Sequence, residues 1–179
     1  MREGLGIDPP SACQRQTFEG STTVVKGRWV FLIAFVLVLY GNGAAFIESF
    51  VNYPSWPLIG ENEFTKFHQF LSPRVLAFLV VPALLGTVFT ILMLWFRPAT
   101  IPLWSVWAAI GLQAVVWTST VTIQVPIQLQ LSEDGLSLPL IERLIETNWW
   151  LRRVPYALCA GLFVWMASES IASDERGGT

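Results

Sequence analysis

Four long apolar stretches set the rhythm of this chain. Residues 29–50 open with WVFLIAFVLVLY, and residues 75–96 read VLAFLVVPALLGTVFTILMLWF. A third run covers residues 103–126 and a fourth residues 150–168. About 20 helical residues cross the hydrocarbon of a bilayer, so each run has the length of a membrane span. The fourth is the shortest, and it reaches that length only if Arg152 or Arg153 enters the mouth of the bundle.

The segments between the runs differ in kind. RPATIP, residues 97–102, is a bare turn, so the second and third spans are expected to be antiparallel neighbours. The other two connections are longer and amphipathic. Phe64, Phe67, Phe70 and Leu71 share one helical face in the first. Leu140, Ile141, Leu144, Ile145 and Trp149 oppose Glu142, Arg143 and Glu146 in the second. Such helices are expected to lie at the interface.

The pattern thus predicts an all-α membrane protein. Its fold class is an up-down four-transmembrane-helix bundle with two short interfacial helices. Both termini and the 97–102 turn share one side, and the amphipathic connections share the other. Pro54, Pro57 and Gly60 are expected to end the first helix, Pro82 to kink the second, and Pro126 to end or bend the third. Residues 129–138, containing Ser132-Glu133-Asp134-Gly135, are expected to be a loop. Residues 1–27 are polar and irregular and read as a mobile tail; residues 28–168 form the membrane domain, and residues 169–179 a polar C-terminal tail. The long polar lead and the three later spans argue against a cleaved signal peptide. No internal repeat is evident.

Composition agrees. Hydrophobic residues make up 53% of 179 and charged residues 13%, where a soluble domain carries about 25% charged residues. Mean hydropathy is +0.53 and net charge −2. No basic surface argues for nucleic acid. Cys13 in the tail and Cys159 in an apolar run are not a disulfide framework. Lys26, Arg28, Arg97 and Arg176 lie on the side of the termini, and Lys66, Arg74, Arg143, Arg152 and Arg153 on the other. If Arg152 or Arg153 serves an internal site, the balance tips the termini toward the cytoplasm. The expected location is the inner membrane of a bacterial cell, with membrane lipids as partners; an oligomer is compatible with the sequence.

The third run carries something that an anchor does not need. Gln113, Trp117, Thr120, Gln124 and Gln128 recur at helical steps and share one face. Lipid cannot pair an amide, so this face is expected to turn inward. Gly41, Ala45, Glu48 and Asn52 share a face of the first run, with small residues that admit close helix packing. The topology gathers further polar residues at the connection side: His68, Gln69, Asn148, Trp149, Arg152 and Arg153. Glu48 is the sharpest, because a carboxylate at that depth needs a cation or a proton. It is expected to pair with Arg152 or Arg153. His68, the only histidine, is either an interfacial residue among phenylalanines or a proton-handling group. No HExxH, CxxC, Walker or GxGxxG motif occurs, and a single histidine spells no metal site. No cofactor is expected.

The stretch GAAFIESFVNYPSW, the phenylalanine-rich connection with His68, the span ending VTIQVPIQLQL, and IETNWWLRR together resemble the DUF1772 family of small four-helix membrane proteins, the anthrone-oxygenase-like proteins. The likeness covers roughly residues 41–167. It implies a cofactor-free oxygenase acting on an aromatic substrate, although most of that family has no assigned activity, and the double arginine departs from its pattern. Two readings stay open. In one, a small apolar or aromatic substrate meets Glu48 or His68 as base and Arg152 as anion stabiliser. Asn52, Gln124, Gln128, Asn148 and Trp149 would then hold the substrate. In the other, the chain is a non-catalytic membrane subunit or a lipid-binding structural protein. A cavity lined by Glu48, His68, Gln124 and Arg152 would favour the first; dry packing around Gly41, Ala45 and Gly111 would favour the second.

Overall fold

A computed structural model describes the backbone of residues 12–177 and the side chains of residues 25–173. The described residues are helical with no strand among them. Four helices are long and apolar enough to cross a membrane: Val25–Leu58, Glu61–Phe96, Leu103–Asp134 and Leu138–Ser173. Their outer surface fits that reading. Phe78 and Trp95 are each 68% exposed and Val121 is 65% exposed, an apolar exterior that water would not tolerate.

Each long helix packs on two neighbours. Along the first and second, Gly27 meets Phe96, Leu37 meets Gly86, and Gly41 meets Ala83. Numbers rise on one helix as they fall on the other. Thr90 and Gln113 join the second to the third, and Trp104 and Trp165 join the third to the fourth. Phe31 stacked on Phe163 closes the ring from the first to the fourth.

The apolar interior is divided into two clusters. One is built around Phe31, Met93, Ile101, Val106, Phe163 and Met166. The other gathers Tyr53, Trp56, Phe64, Leu131, Ile141 and Leu144. The second cluster uses the amphipathic connections. Phe64 and Leu144 are fully buried against their neighbours, while Phe67 and Phe70 stay exposed. Part of the face expected to meet lipid therefore forms a second core. Both connection helices also run on into long helices, as Glu61–Phe96 and Leu138–Ser173, without a break.

Between the two clusters every long helix contains one π turn: Glu48–Asn52, Leu76–Val80, Thr120–Gln124 and Trp149–Arg153. Each is followed two residues later by a proline, respectively Pro54, Pro82, Pro126 and Pro155. Proline lacks an N–H and its ring collides with the carbonyl four residues back. In each turn the residue before the proline bonds five residues back instead, as Val81 N–H does to the Leu76 carbonyl and Val154 N–H to that of Trp149. The wider turn makes room for the ring and lets the helix continue. A repeated device is thus present at one level of the bundle, where the sequence alone showed none.

This device also corrects two boundaries. The first helix does not end at Pro54; helical turns continue to Leu58, and the chain becomes extended at Ile59. The third does not give way to a loop at residue 129; it runs to Asp134 and stops at Gly135, whose φ is 86°. At the N-terminus residues 1–11 of the expected tail lie outside the described residues, and Ala12–Ile47 is one helix. The C-terminal helix runs Val154–Gly177.

Candidate functional site

The face predicted on the first helix is the buried one. Gly41, Ala45 and Glu48 are buried and Asn52 is half-buried. On the third, Gln113 and Gln124 are buried and Trp117, Thr120 and Gln128 half-buried. Gly111 lies on the exposed side, with open space where a Cβ would stand.

At the level of the π turns these faces enclose a cavity of about 170 Å³. Each long helix supplies a polar side chain to its wall: Glu48 from the first, His68 from the second, Gln124 and Gln128 from the third, and Arg152 from the fourth. Five of the eight residues predicted for a site therefore share one space. Tyr53, Trp56, Ser72 and Thr120 join them. The rest of the wall is aliphatic, with Leu71, Val75, Leu76, Leu79, Val80 and Val125.

The other three predicted residues stand outside the wall. Asn52, one turn along from Glu48, donates its amide to Glu48 Oε2 at 2.6 Å. Asn148 is buried and donates to Ser49 Oγ at 2.6 Å, tying the fourth helix to the first. Trp149 is 43% exposed, with its ring edge on Phe50.

The expected ion pair of Glu48 is not formed. Among the described residues no ion pair joins Glu48 to Arg152 or Arg153; the carboxylate takes the Asn52 amide instead. Arg152 turns to the phenol groups of Tyr53 and Tyr156, which lie within its hydrogen-bonding reach. Arg153 turns outward. Its Nη2 donates to the Ser49 carbonyl at 2.7 Å, and its guanidinium stacks 4.1 Å from the centre of the Phe50 ring. Aromatic faces and a free carbonyl thus hold Arg153 away from the acid. Glu48 and Arg152 still line one cavity.

His68 is only 1% exposed. Its Nε2 lies 2.7 Å from Gln128 Oε1 and its Nδ1 2.9 Å from Ser132 Oγ. With Gln128 presenting its oxygen, Nε2 is the donor and Nδ1 accepts the serine hydroxyl. The ring stacks on Phe64 at 5.7 Å and meets the edge of Trp56 at 5.2 Å. Both nitrogens are engaged, so His68 is a held link. From it a polar chain runs through Gln128 and Tyr53 to Arg152 and Tyr156.

Several side chains on the wall carry polar atoms with no partner in the protein: Trp56 Nε1, Gln124 Oε1 and Arg152 Nε. Groups left unpaired in this way are costly in an apolar surround. A small apolar gap between Gln113, Trp117 and Cys159 deeper in the bundle has room for little more than one water. Among the described residues no cluster of three His, Cys, Asp or Glu side chains occurs.

Sequence reasoning passed over Tyr53, Trp56 and Tyr156 as site residues. Tyr53 stands five residues after Glu48, a spacing that reaches the same face only through the π turn, which the sequence did not announce. Trp56 resembled the other interfacial tryptophans and gave no signal. Comparison with family models, curated proteins and solved structures finds no match to this chain.

Proposed function

We propose that this is an integral membrane protein whose four spans alternate in direction and enclose a binding site for a small, largely apolar molecule. The carrying observation is that one polar wall is assembled from all four long helices. Buried polar groups at membrane depth are expensive, and a bundle built only to pack would fill this level with aliphatic side chains. Glu48, Gln124 and Arg152 are the polar contacts for the ligand. His68 and Gln128 hold the wall in shape. The termini face the cytoplasm of a bacterial cell, a reading supported by the basic residues Lys26, Arg28 and Arg97 at that end.

The resemblance to the anthrone-oxygenase-like proteins extends this reading to a reaction. Glu48 takes a proton from an acidic C–H of the bound aromatic compound, Arg152 and the Tyr53 hydroxyl stabilise the anion, O₂ adds to the carbanion, and the peroxide regains the proton and loses water to leave a ketone. The Glu48 oxygen not bonded to Asn52 takes no hydrogen bond from the described residues, which leaves it for the substrate proton. A non-catalytic binder would use the same wall without the proton transfer.

Mass spectrometry of the detergent-purified protein, wild type beside Glu48→Gln, tests the reading. A small molecule should accompany the wild type and be depleted from the variant, with thermal stability nearly unchanged. A variant that loses stability while retaining the same small molecules would assign Glu48 to packing and end the proposal.

A further inference from the structure

Resting on that reading, we infer that the ligand is the hydroxylated single-ring head of a bilayer-borne molecule, a quinol-type headgroup, and that it reaches the cavity sideways between the second and third long helices. Volume sets the first limit. At about 170 Å³ the space compares with the apolar cavity of roughly 150 Å³ that accepts one benzene ring. A single ring fits.

The walls set the direction. The aliphatic side comes from Val75, Leu76, Leu79 and Val80 on the second helix and Val125 on the third. Leu76 is 56% exposed and Val125 44% exposed on the outer surface of the bundle, yet both line the cavity. The second helix packs chiefly on the first at this level, so a gap opens beside the third. Its surroundings, Phe78 and Val121, are among the most exposed apolar residues of the bundle. The opposite side is shut. Trp56, Phe64 and His68 are each no more than 1% exposed, and they seal the cavity beneath the connection helices. The open path therefore leads to lipid. It leaves room for an alkyl tail to trail into the bilayer.

The charged groups on the wall set the chemistry. Glu48 lines the cavity, and its oxygen not bonded to Asn52 takes no hydrogen bond from the described residues. Arg152 lines the same wall. A ligand between the two donates to the carboxylate and accepts from the guanidinium. A hydroxyl does both, whereas a ketone or ether only accepts and an ammonium only donates. Ring hydroxyls on an aromatic head meet the requirement, and the edges of Tyr53, Trp56 and His68 suit a flat ring.

Binding to the full-length protein in detergent, kept anaerobic and free of added reductant, provides the test. The probes are a decyl-tailed benzoquinol, the same compound oxidised to the quinone, and benzene-1,4-diol without a tail. Thermal shift should saturate with the decyl quinol. The quinone, which has no hydroxyl donor, and the tail-less diol should each bind roughly tenfold more weakly. Glu48→Gln, which keeps the shape and removes the carboxylate charge, should weaken the quinol roughly three- to tenfold. Leu79→Trp fills the cavity and should abolish the shift. Val125→Trp, at a half-open position that tolerates bulk, should block access if Leu79→Trp does not fold. An equal shift in wild type and both tryptophan variants would reduce the effect to partitioning and overturn the inference. Equal affinity for tailed and tail-less rings would overturn the sideways, bilayer-borne part and leave the cavity reading standing. If no ring binds but another small molecule accompanies the wild type and leaves with Glu48→Gln, the headgroup is wrong and the proposed function holds.

Discussion

Tyr40 donates its phenol hydroxyl to the Phe78 carbonyl at 2.7 Å, and that carbonyl stands four residues before Pro82. The proline cannot supply the helical N–H, so a side chain from the neighbouring helix does. The same substitution recurs: Arg153 takes the Ser49 carbonyl five residues before Pro54, and Ser119 approaches the Leu151 carbonyl four before Pro155 at 3.4 Å. Tyr40→Phe keeps the ring and removes the donor. It should cost about 0.5–1.5 kcal/mol, the usual worth of such a bond between membrane helices. Reversible unfolding in mixed micelles would measure it, and an unchanged midpoint would mean that the carbonyl needs no partner.

The buried contact between Gln113 Nε2 and Thr90 Oγ1, at 3.0 Å, makes a second prediction. Thr90→Val is nearly isosteric but leaves the amide only its weak contact with Cys159 Sγ at 3.7 Å, so it should destabilise by about 1 kcal/mol. In a Gln113→Leu background the same change should cost almost nothing, because no amide remains to strand. Equal costs in the two backgrounds would show that the bond contributes no stability.

Two glycines should respond in opposite directions. A Cβ on Gly27 would stand 2.7 Å from the Phe96 carbonyl oxygen, a main-chain atom that cannot swing away. Gly27→Ala should therefore destabilise by about 1–3 kcal/mol. Gly111 has open space around its Cβ position, and Gly111→Ala should leave stability equal or raise it by up to about 1 kcal/mol. Melting midpoints of the two purified variants would separate them.

The proposed alternation of the spans predicts that tags at residue 8 and at residue 177 report the same side of the membrane. Accessibility of single cysteines placed there, labelled in intact and in permeabilised cells, checks the expectation. Labels on opposite sides would require an odd number of crossings.

The membrane class, the four long helices and much of the candidate wall were legible in the chain. Inward faces follow from periodicity, so Glu48, Gln124 and Gln128 could be placed by spacing alone. His68 could be placed only by connection. Partner choice was less legible. Pairing Glu48 with an arginine assumed that charge decides; Asn52, one turn away, takes the carboxylate, and the arginines turn to phenols and aromatic faces. Pro54 was read as part of a break that comes only at Ile59, and residues 129–134 as loop where the helix runs on. A π turn ending two residues before each proline supplies the space its ring needs. Asn148 and Trp149 were assigned to the ligand because the topology gathers them at the connection side. Asn148 instead spends its amide on Ser49, and Trp149 sets its ring against Phe50.

The ring of π turns has a mechanical consequence. It separates a stem, packed around Phe163 and Met93, from a cap, packed around Trp56 and Leu131. At the joint each backbone has lost helical hydrogen bonds, and side chains bridge several of the gaps. Resistance to bending is therefore lowest at this joint, and the cavity lies within it. A molecule held by Arg152 on one strut and by Glu48 on another would act as a wedge and brace. Occupancy would then set the tilt of the cap on the stem.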